Sequence, residues 1–250
     1  MEGTALLGRL IWRAAEVVEL RPETSQTKTI TFDVPGWPGH RAGQHVDVRL
    51  TAEDGYQAER SYSIASAADG SRIELTVERL EDGEVSPYLA DELRAGDVIE
   101  LRGPVGGYFV WNAHAQGTVL LVAGGSGIAP LMAMARQRAG ESSGIPTRLL
   151  YSARTWDDVI YRDELAELAA RGDGFEPMYT LTRAQPPDWE GYGCRVDTEL
   201  LGEVAPDPSE LAVAFVCGPT PFVEAVANGL VELGNAPSRI KTERFGPTGG

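Results

Sequence analysis

Cysteine and histidine are scarce in this sequence. Two cysteines, Cys194 and Cys217, stand far apart in 250 residues. Neither a disulfide framework nor a zinc or iron–sulfur centre within the chain is expected from them. His40, His45 and His114 lie in unrelated contexts and lend a histidine metal site little support. Positive charge is also short: 22 Lys and Arg against 37 Asp and Glu leave a formal net charge of -15. That balance argues against nucleic acid or an anionic membrane as main partner, while allowing a local basic pocket for phosphates. No apolar run approaches the roughly 18 residues of a membrane span. Met1-Glu2-Gly3-Thr4 lacks the basic start and long apolar core of a signal peptide, so a cytoplasmic protein is expected.

What is present is a globular composition, 42% hydrophobic and 24% charged, with 29 Gly and 16 Pro to make turns. The length fits one large domain or two of about 110–140 residues. From Arg9 to about Arg102 short β-like runs alternate with turn signals: Leu10–Leu20, Lys28–Phe32, His45–Leu50, Arg60–Ala65, Arg72–Arg79 and Val98–Leu101. Turns carry Pro35-Gly36, Pro38-Gly39, Asp54-Gly55, Asp69-Gly70 and Ala95-Gly96-Asp97. About six short strands at this spacing predict a small antiparallel barrel.

Within that half, Arg60-Ser61-Tyr62-Ser63-Ile64-Ala65-Ser66 carries the chemistry. In a strand Arg60, Tyr62 and Ile64 share one face and Ser61, Ser63 and Ala65 the other. A guanidinium, a flat ring and hydroxyls on one extended segment suit a flavin nucleotide. The same residues also read as an edge strand with one exposed arginine. Gly83-Glu84-Val85-Ser86-Pro87 reads as a loop ending in Ser86 as N-cap, with Pro87 at the first position of a short helix to Leu93. The start of such a helix favours an anion if Arg60 lies nearby, and is otherwise a plain capped helix. Gly103–Phe109 closes this half, and Asn112–Gly117 has the composition of a linker.

The periodicity then changes. Thr118–Ala123 is a continuous apolar run, as a buried parallel strand requires. Gly124-Gly125-Ser126-Gly127-Ile128-Ala129-Pro130 follows, leading into the amphipathic Leu131–Arg138. Strand, glycine turn and helix make a phosphate cradle, or else a tight turn; Pro130 stands where a third glycine would be expected. Strands at Arg148–Ser152, Glu176–Leu181, Leu211–Cys217 and Arg239–Arg244 alternate with helices at Arg162–Ala170, Val196–Leu201 and Pro219–Leu233. The expected fold of this half is an open, doubly wound parallel α/β sheet, whose ligands bind beyond the carboxyl ends of its strands. Gly124–Pro130, Ser152–Thr155 and Cys217–Pro221 all leave strands at that edge. Arg154 there is placed to pair with a 2′-phosphate, with Arg162 and Arg183 as further candidates. Cys217 reads equally as small core filler.

Arg-x-Tyr-Ser, Gly-x-x-Ser before a helix, Gly-Gly-x-Gly-Ile-Ala-Pro and a final Cys-Gly-Pro, in that order, resemble the ferredoxin–NADP⁺ reductase family of flavoproteins over about Arg9 to Pro247. The resemblance implies an FAD-binding barrel over residues 1–112 and an NAD(P)-binding α/β domain over 118–250. It implies that Arg60 and the turn of Gly83, Val85 and Ser86 hold the flavin pyrophosphate, that Tyr62 packs on the flavin, and that Ser63 hydrogen-bonds near its N5. Gly124, Gly125, Gly127 and Pro130, with Gly218 and Pro219, shape the dinucleotide site, and Ser152, Arg154 and Arg162 take its adenosine phosphate end. Cys217 lies by the nicotinamide, and Glu243 and Phe245 by the flavin. Ser63, Cys217 and Glu243 are the implied catalytic set.

The implied function is passage of hydride from NADPH, or NADH, to FAD, and of single electrons to a separate acceptor. A ferredoxin or an oxygenase component is expected in that role, since the chain stops at Gly250 without a fused iron–sulfur module. Reduction of free flavin or small dyes, and a flavin-binding relay subunit of a larger complex, stand as alternatives.

Overall fold

The computed structural model describes residues 10–68, 70–111 and 115–246. Met1-Glu2-Gly3-Thr4, Asp69, Asn112, His114 and Pro247, each used in the sequence reading, lie outside the described residues. Six strands build the first half: β1 Trp12–Pro22, β2 Thr27–Asp33, β3 His45–Thr51, β4 Gln57–Ser63, β5 Arg72–Glu78 and β6 Val98–Val105. All pair antiparallel in the order β4-β3-β6-β1-β2-β5. A bridge from Ile64 to Leu75, with the Ala65 amide donating to Glu74 O at 2.8 Å, brings the two ends together into a barrel.

Period-2 alternation sets the register. Ile73, Leu75 and Val77 of β5 point inward to meet Ile30, Phe32, Val46, Val48 and Leu101. On β4 the same alternation buries Ala58 and Ile64 and half-buries Tyr62, leaving Arg60 exposed on the same side.

The second half is a five-stranded parallel sheet, β7 Thr118–Gly124, β8 Thr147–Ala153, β9 Phe175–Leu181, β10 Leu211–Pro219 and β11 Ile240–Phe245. Its order is β11-β10-β7-β8-β9. Helices α1 Ile128–Gly140 and α2 Arg162–Ala170 cover one face, and α3 Thr198–Val204 and α4 Thr220–Glu232 the other. Val119, Leu121 and Ala123 pack to the first face and Leu120 and Val122 to the second, so β7 is apolar throughout. The strand order reverses between β7 and β10, which opens a crevice at their carboxyl ends.

Two expected helices are corrected. The short helix expected from Ser86 is present, helical from Ser86 and continuing as a π segment over Tyr88–Glu92, but Ser86 does not cap it: its Oγ accepts the Leu80 amide at 3.1 Å. The hydroxyl serves the loop rather than the helix start. The helix expected from Val196 begins at Thr198, because Asp197 Oδ1 accepts the Leu200 amide at 2.9 Å and fixes the cap there. Among the described residues no helix is long and apolar enough to cross a membrane.

The two halves are pinned together by Arg136 of α1. Its Nη1 donates to Ala65 O at 2.9 Å and to Glu74 at 2.7 Å on the barrel, while Nε and Nη2 make a two-pronged pair with Glu164 of α2 at 2.7 Å each. Tyr161 adds a hydroxyl contact with Thr76 and an amide contact with Glu23 at 3.3 Å.

Candidate functional site

Pairing of β3 with β4 sets Ser63 opposite His45, Tyr62 opposite Val46 and Arg60 opposite Val48. Ser63 is half-buried at the carboxyl end of β4. Tyr62 packs on the barrel core, and burial pushes its hydroxyl up to about 12. Arg60 Nη2 donates to Glu84 Oε2 at 2.7 Å, and Tyr56 Oη donates to Glu84 Oε1 at 3.0 Å. The guanidinium and the Gly83–Ser86 turn are therefore spatial neighbours, 24 residues apart in sequence. Val85 anchors that turn in the core. A Cβ on Gly83 would lie 2.7 Å from Ser86 Oγ and 3.2 Å from Leu80 O, so the turn is tightly packed there.

On the sheet, Gly124–Gly127 leaves β7 beside the end of β10. A Cβ on Gly127 would stand 2.2 Å from Cys217 O, so this backbone approach is open to glycine alone. Gly125 adopts φ +55° with open space where a Cβ would sit. Gly124 and Gly218 lie against the Phe222 ring. Pro130 is buried in the first turn of α1, where its missing N–H costs no hydrogen bond. Pro219 ends β10 on the surface, and Phe245 pairs with it from β11, 37% exposed.

At the crevice a carboxylate bridges the two halves. Glu243 of β11 pairs with Cys217 of β10, and its Oε1 lies 4.0 Å from His45 Nδ1 on the barrel. Ser63, His45, Glu243 and Cys217 thus form a row across the junction, with Gly106 against the His45 ring. Burial raises the Glu243 carboxyl from its ordinary 4.5 to about 7. Burial, then the Glu243 charge, pushes the Cys217 thiol well up, so it stays neutral. Burial lowers His45, partly opposed by the Asp47 charge. Glu243 Oε2 is buried with no hydrogen-bond partner.

Ser152 is half-buried at the end of β8, level with Gly124, and Arg154 projects just beyond it into solvent. Arg162 does not join that group. It opens α2, stacks over Trp156 at 5.7 Å, and lines a cavity of about 480 Å³ together with Arg21, Glu23 and Glu167.

The sequence reading passed over His45, Arg136 and Glu84. His45 occupies the first position of β3, and only the strand register places it beside Ser63.

The site fits FAD and a pyridine dinucleotide on three counts. Glu243 presents an unsatisfied buried oxygen to the crevice. The Gly124–Gly127 turn keeps a Cβ-free cradle beside β10. Arg60 stands against a glycine turn at the barrel surface.

Known proteins agree with this arrangement. The profile of the oxidoreductase FAD-binding domain matches residues 15–110, and that of the oxidoreductase NAD-binding domain matches residues 121–228. The chain is 34% identical over 245 residues to the glycine betaine monooxygenase reductase subunit of Pseudomonas aeruginosa, covering 96% of this chain and 65% of the relative. It therefore spans about two thirds of the length of that relative. Ferredoxin–NADP reductase B of Sorangium cellulosum is 34% identical over 241 residues, with 92% of this chain and 96% of the relative covered. Among solved structures, the Amycolatopsis cytochrome P450 reductase GcoB superposes with a TM-score of 0.83 at 28% identity, covering 95% of this chain and 71% of that one. On a flavin-type barrel joined to a doubly wound dinucleotide sheet, with a relative matched over almost its whole length, the chain belongs to the ferredoxin–NADP⁺ reductase family of FAD- and NAD(P)-binding oxidoreductases.

Proposed function

We propose that this chain oxidises NAD(P)H and delivers the electrons singly to a separate protein, a ferredoxin or an oxygenase component. The row Ser63, His45, Glu243 and Cys217 carries the reading, since it joins barrel to sheet across 4.0 Å at the mouth of the crevice. Bound FAD supplies the conversion between hydride and single-electron chemistry. Arg60 and the Gly83, Val85 and Ser86 turn hold its pyrophosphate, with Arg60 exchanging Glu84 for phosphate oxygens. Tyr62 would pack on the flavin, and Phe245 would lie beside it.

Gly124, Gly125, Gly127, Pro130, Gly218 and Pro219 shape the nicotinamide side of the cleft. Ser152 and Arg154 hold the adenosine end, and Arg154, exposed just past β8, favours NADPH over NADH through the 2′-phosphate. Ser63 offers a hydrogen bond at the reacting face. Glu243, its carboxyl raised to about 7, is partly protonated at neutral pH, and Cys217, as a neutral thiol, fills the pocket floor without adding charge. Together these groups keep water from the transfer.

The division into a flavin domain over 1–112 and a dinucleotide domain over 118–250 belongs to the same reading. So does a cytoplasmic location, which two unpaired cysteines, one of them exposed, support.

The relatives' names, an oxygenase reductase subunit and a ferredoxin–NADP reductase, point to the acceptor class. The test is NADPH-driven reduction of a purified [2Fe–2S] ferredoxin and of free FMN under identical conditions. Ferredoxin reduced with a higher kcat/KM than FMN supports the proposal. FMN reduction with no ferredoxin reduction overturns it in favour of a free-flavin reductase.

A further inference from the structure

Helix α1 grows directly out of the Gly124–Gly127 turn, so its first turn is continuous with the dinucleotide cradle. Further along, the same helix reaches the barrel at both strands that line the reacting face. A Cβ on Gly43, two residues before His45, would stand 2.7 Å from Met134 Cε. Arg136 Nη1 donates to Ala65 O at 2.9 Å, two residues past Ser63. The Ala68 amide donates to Gln137 Oε1 at 3.0 Å. One helix therefore grips the entry to β3 and the exit from β4, the strand ends that pair His45 with Ser63.

Arg136 makes the strongest of these contacts. Its side chain is 14% exposed and bonds at once to Ala65 O, to Glu74 of β5 and, through two prongs, to Glu164 of α2. The Ala65 amide donates to Glu74 O, so the guanidinium closes a ring through the strand end that it holds. The guanidinium carbon also lies 5.0 Å from the Tyr161 ring centre. Tyr161 has φ +59°, a left-handed conformation that a tyrosine keeps only where its surroundings over-determine it. A planar fork with donors in fixed directions sets both distance and angle between two layers, which apolar packing alone does not.

We propose that Arg136 is a positioning residue for hydride transfer: it sets the gap between the Ser63 end of β4 and the Gly124–Gly127 cradle. The inference rests on the reading that NAD(P)H reduces bound FAD. In that step the C–H bond at nicotinamide C4 breaks, hydrogen and both electrons pass to the flavin, and the coenzyme leaves oxidised. Arg136 is not a catalytic residue, because its bond on this strand ends at Ala65 O, beyond the reacting face. Transfer needs the reacting atoms about 3 to 3.5 Å apart, and a displacement of about 1 Å costs about a hundredfold. Fixing barrel to sheet through one guanidinium holds that gap, while each cofactor keeps the binding contacts of its own half.

The experiment uses the full chain loaded with FAD, as wild type, Arg136→Lys and the triple variant Glu74→Gln/Arg136→Met/Glu164→Gln. The triple variant strands no carboxylate, which separates loss of the clamp from burial of an unpaired charge. Anaerobic stopped-flow bleaching over a range of NADPH concentrations gives a limiting rate and a coenzyme Kd. Dithionite, which needs no aligned nicotinamide, is the control reductant. Amide hydrogen exchange over residues 61–68 is followed in the same proteins.

The limiting rate with NADPH should fall about tenfold in Arg136→Lys and about a hundredfold in the triple variant. The Kd for NADPH and the dithionite rate should stay within about threefold of wild type, and exchange over 61–68 should quicken about tenfold. A triple variant bleached by NADPH at the wild-type limiting rate would overturn the proposal, whatever its exchange. Equal slowing with NADPH and dithionite would also overturn it, as a general loss of structure. Arg136→Lys, which keeps the charge, decides by the same comparison where the triple variant does not fold. A wild-type flavin that dithionite bleaches and NADPH does not would remove the functional reading, and the proposal with it.

Discussion

Replacement of Glu243 by Gln tests the electrostatics of the junction directly. Burial raises this carboxyl to about 7 from an ordinary 4.5, so the folded protein holds a proton that the unfolded chain releases. For an acid shifted upward, stability is intact below the unfolded value and falls as pH rises towards the folded one. At about pH 8 ionising the buried group costs about 3 kcal/mol; at about pH 5 the cost is under about 1 kcal/mol. Glu243→Gln removes this term and leaves His45 in place. The difference in unfolding free energy, variant minus wild type, should therefore grow by about 2 to 3 kcal/mol between those two pH values. Urea unfolding of both proteins at saturating FAD, followed by tryptophan fluorescence, measures it. Parallel pH profiles for the two proteins would refute the reasoning, because the carboxylate would then be solvated and ionised at neutral pH.

Arg60→Ala should weaken FAD binding by roughly tenfold to a hundredfold, the worth of a charge-assisted bond to phosphate. Equilibrium dialysis reads this, and full flavin retention would remove Arg60 from the pyrophosphate site. Arg154→Ala should raise KM for NADPH about tenfold while leaving KM for NADH within about twofold, as loss of a 2′-phosphate contact demands; equal effects on both coenzymes would contradict it. Gly127→Ala should destabilise the protein by about 3 kcal/mol, because the new methyl falls 2.2 Å from Cys217 O, a main-chain atom with little room to move. A variant as stable as wild type in urea would show that the β7 turn and β10 can separate freely.

Much of this architecture is legible in the residues, and the exceptions have physical causes. The change from period-2 alternation in Arg72–Glu78 to the continuous apolar Thr118–Gly124 marks the passage from barrel to parallel sheet. Glycine turns betray the sheet's ligand edge, because Gly127 permits a backbone approach that a Cβ would forbid. Ser86 misled because serine before Pro87 has the form of a cap, whereas tertiary context turns its hydroxyl to Leu80. His45 was invisible because its neighbours Ser63 and Glu243 are 18 and 198 residues distant, and no local pattern encodes such a register.

Anaerobic titration of the purified protein with NADPH, and separately with NADH, tests the central claim most directly. The account predicts a yellow protein whose flavin absorbance bleaches fully at one equivalent of NADPH per bound FAD, and which loses that response when Glu243 or Ser63 is replaced together with Cys217. A colourless protein that takes up no added FAD, or a bound flavin that neither coenzyme bleaches, would contradict it.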